Sequence, residues 1–139
     1  MSRRRGAPPN DPRTDARERT LLMLYEADTK GIEPRVVLEA QVIRPDQQTV
    51  ELVIGVGERR DALDEVIAAH SHGWTLKRMP TIDRNVLRLG AYELADRPAI
   101  PVAVVIDEAV ELAKRFSTDD SGRFVNGVLS ALVPVLRST

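Results

Sequence analysis

The stretch Pro101–Leu132, PVAVVIDEAVELAKRFSTDDSGRFVNGVLSAL, decides the fold. Its first half repeats apolar residues at steps of three and four: Val102, Val105, Ile106, Ala109, Leu112, Ala113 and Phe116. That spacing is one face of an α-helix. The second half does the same with Phe124, Val125, Val128, Leu129 and Leu132, and continues through Val133 and Leu136. The polar run Ser117–Gly122 between them is a turn where one helix ends and the next is capped. One of Asp119 and Asp120 is expected to cap, and the cap position is open among Asp119, Asp120 and Ser121. Asp120, Ser121, Arg123 and Phe124 then share a helix start, which brings an acceptor, a hydroxyl, a cation and a ring together as a candidate binding site.

Upstream, Ile82, Val86, Leu87, Leu89, Ala91, Tyr92 and Leu94 cover more than one helix face, as in a central helix packed on several sides. Thr81 is its expected cap, with Asp83 in the first turn, and Trp74 in the preceding connector is expected to plug the core. Val50 to His70 keeps the helical period, but Gly55 and Gly57 each cost about 1 kcal/mol in a helix interior relative to alanine. They mark a kink or a close approach, and two helices breaking near Gly57 are expected. Asp46 can cap this segment. Pro34 opens a short helix ending near Ile43, because Pro45 biases Arg44 away from the α region. Asp11-Pro12 opens the first helix, which runs to about Thr29 with Gly31 beyond its end.

No run alternates polar and apolar residues, so no sheet is expected. The fold class is all-α: a compact bundle of about seven helices, with residues 11–139 as one domain behind a flexible basic arm over residues 1–10.

Composition narrows the function. There is no cysteine, hence no disulfide framework and no thiolate chemistry, which fits a cytoplasmic protein. No apolar run approaches the ~20 residues that span a bilayer, and the N-terminal arginines lack the apolar segment of a signal peptide. The net charge is −1, yet residues 1–19 hold six arginines against three acids, a net +3, leaving −4 for the remainder. A polyanion belongs at the N-terminal end, and basic partners belong elsewhere.

Arg13 and Arg17, four apart, stand on one side of the first helix and are candidate phosphate contacts beside its N-terminus, though ordinary solvated surface is the plainer reading. Phe124 could stack on an unpaired base if one face is exposed. Asn126, among apolar neighbours, is expected to be buried and bonded within the fold. Arg84, Arg88 and Glu93 read as interhelical ion pairs. His70 and His72 lack metal-ligand spacing, and no nucleophile–base pair or phosphate loop is present, so neither an enzyme nor a cofactor is indicated.

The run DEAVELAKRFSTDDSGRFVNGVL, with ARERTLLMLYEAD and IDRNVLRLGAYEL, resembles the NusB family of transcription antitermination factors over residues 13–137. The resemblance implies two packed helical subdomains and no cofactor. It implies pairing with the ribosomal protein NusE, binding of the single-stranded boxA element of ribosomal RNA transcripts, and a place in the RNA polymerase antitermination complex. Carried over by motif, the RNA surface is Arg13, Arg17, Asp120, Ser121, Arg123 and Phe124, and the partner surface includes Tyr25 and Asp83. Asp15 stands where the family often places a cation, and Arg3, Arg4 and Arg5 of the arm could substitute. Two other readings belong to different classes. One is a helical scaffold or homodimer; the other is a fragment related to ribosomal RNA cytosine methyltransferases, which need a following catalytic domain.

Overall fold

The computed structural model describes residues 11–137; the arginines of the arm, Arg3 to Arg5, lie outside the described residues. Six α-helices follow one another: α1 Pro12–Lys30, α2 Pro34–Glu39, α3 Gln47–Ala69, α4 Thr81–Asp96, α5 Val102–Phe116 and α6 Asp119–Leu136. A single 3-10 turn, Leu76–Arg78, precedes α4, and no strand occurs among the described residues. Helices α1, α2 and α3 pack together, as do α4, α5 and α6, and α4 joins the two groups by packing on α1 and α3.

Local chemistry sets several helix ends. Asp11 accepts from the backbone N–H of Arg13 and Pro12 opens α1, while Gly31 closes it in the left-handed region at φ 68°. Asp46 caps α3 by accepting from the Thr49 N–H at 3.1 Å. Helix α4 lies at the centre, with Val86, Leu87, Leu89, Ala91 and Leu94 all buried. It meets Leu21 and Leu24 of α1 and Leu129 and Leu132 of α6 in one apolar core. Each fully buried leucine contributes about 2 kcal/mol by leaving water.

The structure corrects several expectations. Helix α3 runs unbroken through Gly57, so the described residues hold six α-helices and a 3-10 turn, close to the about seven helices expected. Of the two roles offered for the glycines, close approach is the one found. A Cβ on Gly55 would lie 2.2 Å from the Tyr92 hydroxyl oxygen, and one on Gly57 would lie 3.3 Å from the Pro34 ring. Helix α2 stops at Glu39, before Ile43, and the following Val42 and Ile43 are almost fully exposed. Pro80, not Thr81, holds the N-cap position of α4, without a side-chain cap bond. Trp74 does not plug the core; it is 55% exposed. Asn126 is exposed and its Oδ1 accepts from the Ser130 hydroxyl, because it lies off the stripe formed by Val125, Val128, Leu129 and Leu132.

Candidate nucleic-acid interface

The α5–α6 turn is built by Thr118. Its backbone is extended, φ −136° and ψ 166°, and its hydroxyl accepts from the Ser121 N–H at 3.0 Å. Thr118 is therefore the N-cap, and neither Asp119 nor Asp120 caps. Both aspartates fall in the first turn of α6, where the helix dipole favours negative charge. Asp120 is exposed and pairs with the exposed Arg123 one turn on.

Ser121 faces inward. It is buried, and its hydroxyl donates to Oδ2 of Asp83 on α4 at 2.8 Å, with the Ser117 and Thr118 hydroxyls each 3.0 Å away. Its hydroxyl holds Asp83 in place and does not point outward. Asp83 is also buried, and its Oδ1 has no hydrogen-bond partner among the described residues. An unsatisfied buried acceptor costs about 1–3 kcal/mol, so this atom needs an explanation. Phe124 is half-buried and meets Trp74 edge-on, with centroids 6.4 Å apart and planes at 63°. Trp74, Met79, Asp83, Asp120, Ser121 and Phe124 line a groove of about 340 Å³ between the connector and the start of α6.

The first helix divides its two arginines. Arg13 is exposed, and its guanidinium makes no ion pair among the described residues. Arg17 is 5% exposed and is corrected here as a phosphate contact: it points between α4 and α5. Its Nε and Nη2 bond both oxygens of Glu93 at 2.8–3.0 Å, and Nη1 donates to Glu108 at 3.1 Å. Thr14 donates to the same Glu108 oxygen at 2.6 Å. Burial pulls the Arg17 guanidinium down, but the hydrogen bonds and charge of Glu93, then Glu108, outweigh it and hold it above its ordinary range. A second network joins the helix groups as expected of Arg84 and Arg88: Asp28 accepts from Arg84, Asn85 and Arg88, and Arg88 also pairs with Asp64.

A family model described as the NusB family matches residues 14–134. The chain belongs to the NusB family. It is 51% identical to a transcription antitermination protein NusB of Saccharopolyspora erythraea, over 91% of this chain and 92% of that one. A NusB of Streptomyces coelicolor is 48% identical over 86% and 91%. Among solved structures, the Thermotoga maritima NusB superposes with TM-score 0.79 at 33% identity, covering 88% of this chain and 90% of that one. A chain from a crystal structure of antitermination factors NusB and NusE in complex with dsRNA gives TM-score 0.76 at 30% identity, covering 88% and 96%.

Of the positions that the NusB resemblance names, Arg13, Asp120, Arg123 and Tyr25 are exposed, Tyr25 by 40%. Phe124 and Ser121 belong to the groove, and Asp83 forms its wall instead of an outer surface. Sequence reading missed Trp74 as the opposite wall. The available signal was a lone tryptophan in a connector flanked by Gly73 and Pro80, where an aromatic ring has little core to enter. No group of three or more His, Cys, Asp or Glu side chains that could hold a metal ion occurs among the described residues.

Proposed function

We propose that this protein acts as a transcription antitermination factor that binds boxA-like single-stranded RNA together with NusE, as a non-catalytic part of the RNA polymerase antitermination complex in the cytoplasm. The observation that carries this reading is the NusB family match along residues 14–134, joined to the structural likeness to a chain solved with NusE and RNA. The exposed Arg13 at the α1 N-terminus, and Arg123 and Phe124 on α6, supply the contacts such a role needs: cations for phosphates and a ring for stacking. The net-acidic remainder of the chain suits a basic ribosomal protein.

The test is a titration with boxA-like RNA, with and without NusE, at several salt concentrations. RNA and NusE are expected to strengthen each other's binding by about 1–3 kcal/mol of coupling. Arg13→Ala is expected to weaken binding of all RNA sequences alike and to lower the salt slope by about 0.7, the loss of one phosphate contact on a single strand. Equal RNA affinity with and without NusE would remove the cooperative part of this reading.

A further inference from the structure

We propose that two copies of this chain exchange loops: Val42-Ile43-Arg44 of each copy seats in the groove between α2 and α3 of the other. Both halves of the contact come from one helical hairpin. The groove holds about 380 Å³. Pro34 of α2 and Val53, Ile54 and Gly57 of α3 form its apolar floor. Gly57 lies close to the Pro34 ring and brings no side chain to fill the space, and Ile54 is left exposed to water there.

The loop supplies the matching shape. Val42 and Ile43 are two branched apolar residues in succession, almost fully exposed, and neither lines the groove of its own chain. The loop is braced at both ends. The Gln41 amide donates to the Val37 carbonyl at 3.0 Å, and Asp46 caps α3 and pairs with Arg19 at 2.7 Å. Pro45 biases Arg44 toward extended backbone. A braced tip loses little conformational freedom on binding, so an apolar pair held this way is suited to docking.

Charge fixes the register. Arg44 follows Ile43 directly, is exposed, and makes no ion pair among the described residues. On the rim of the groove, Glu58 stands one turn beyond Ile54, is exposed, and makes no ion pair among the described residues either. The rim cations already face acids: Arg35 pairs with Glu33 at 3.0 Å, and Arg60 lies 3.7 Å from Asp61. The unmatched charge is therefore negative on the groove and positive on the tip. With Ile43 on the floor, Arg44 meets Glu58 of the second copy. A foreign segment would have to bring an apolar pair followed by a cation, and this chain carries that sequence itself. One twofold axis then forms the contact twice and closes the pair. None of Arg13, Asp120, Arg123 and Phe124 lines the groove, so the exchange is independent of the RNA-binding reading.

Two small anchors give a weak, reversible dimer, with a dissociation constant on the order of 10–100 μM. The test is analytical ultracentrifugation of the full chain from about 5 to about 500 μM, which brackets that range. The native chain is expected to pass from monomer to dimer. Ile43→Asp and Ile54→Asp, both at exposed positions, should each weaken the dimer by about tenfold or more, because a charge must enter the apolar floor. Their melting temperatures should stay within about 2 °C of the native value. A mixture of these two variants should form more dimer than either alone, since the intact tip of one meets the intact groove of the other. Arg44→Glu and Glu58→Arg should each weaken the dimer by about threefold to tenfold, and the double exchange should restore it. A chain that stays monomeric at every concentration would overturn the proposal and leave the groove to a different partner. A dimer that Ile43→Asp leaves intact, or that Arg13→Ala disperses, would place the interface elsewhere and overturn it as well. Species that grow beyond a dimer with concentration would refute the closed exchange.

Discussion

Arg17 and Glu93 form a forked, buried ion pair that ties the first helix to the fourth, with both carboxylate oxygens within 3.0 Å of guanidinium nitrogens. Side-chain exposure is 6% and 3%, so each charge depends on the other. Arg17→Ala leaves Glu93 buried without its cation and takes one hydrogen bond from Glu108. Removing one partner of such a pair costs about 3–5 kcal/mol. For a chain of this size the melting temperature should fall by roughly 10 °C, while the RNA affinity of the folded fraction stays near the native value. An Arg17→Ala protein that melts normally but loses RNA would return Arg17 to the binding surface.

Asp28 makes stability depend on acid pH. Burial pushes its carboxyl upward, but hydrogen bonds from Arg84 and Asn85 and the charge of Arg88 outweigh this and hold it below the ordinary carboxylate range. A depressed carboxyl stabilises the fold above its unfolded pKa, about 3.9, and that contribution is lost as pH falls through the folded value. Asp28→Asn should therefore be less stable than the native chain at neutral pH, by about 2–3 kcal/mol for a partly buried network. The gap should close as the pH is lowered below about 4. Urea unfolding of both proteins across that range checks it, and a gap that is constant with pH would contradict the assignment.

Much of this architecture is readable from local chemistry. Asp11, Pro12 and Gly31 bound the first helix by capping and by a left-handed residue, and none of these depends on distant contacts. What was not readable depends on partners far along the chain. Arg17 follows Arg13 by one turn, yet its fate is set by Glu93 and Glu108, 76 and 91 residues away. The break expected at Gly57 is absent because Tyr92 and Pro34 pack where side chains would stand, which offsets the helix cost of glycine. Three acceptors in succession obscured the cap of α6. The choice fell to Thr118 because the chain leaves α5 at Ser117, with φ −133° and ψ −108°, one residue earlier than the aspartates require. The acceptor, hydroxyl, cation and ring at Asp120–Phe124 do come together, but their division into outward and inward members follows from the bond between Ser121 and Asp83. That bond spans 38 residues and leaves no local mark.

Two glycine-to-alanine changes should have opposite signs. At Gly55 a methyl group would overlap the Tyr92 ring, with three ring or hydroxyl atoms between 2.2 and 2.6 Å. Tyr92 is buried and cannot retreat freely, so Gly55→Ala should destabilise by about 1–3 kcal/mol despite the better helix propensity of alanine. At Gly127 an added Cβ meets nothing within 4 Å. Gly127→Ala should stabilise by up to about 1 kcal/mol. Thermal melts of the two variants test both signs, and a stabilising Gly55→Ala would mean that the contact with Tyr92 yields more easily than the geometry indicates.

Asp120→Asn should bind RNA more tightly than the native chain. Asp120 and Arg123 are both largely exposed, with side-chain exposures of 85% and 78%, and their ion pair contributes little to stability. Thr118 caps the helix, so the substitution removes no cap and should change stability by no more than about 0.5 kcal/mol. It does remove an anion from a surface that must receive phosphates, and it frees Arg123 to meet one. Asparagine also keeps an acceptor oxygen for a base. If Arg123 gains one phosphate, the slope of log affinity against log salt should steepen by about 0.7, so the advantage is largest at low salt and shrinks as salt rises. The double variant Asp120→Asn/Arg123→Ala should lose the gain, which separates a freed cation from simple relief of repulsion. The measurement is RNA anisotropy for all three proteins over a salt series, beside their melts. Weaker binding by Asp120→Asn would instead make Asp120 an acceptor for a base amino group. Unchanged affinity with unchanged stability would place Asp120 outside the RNA surface.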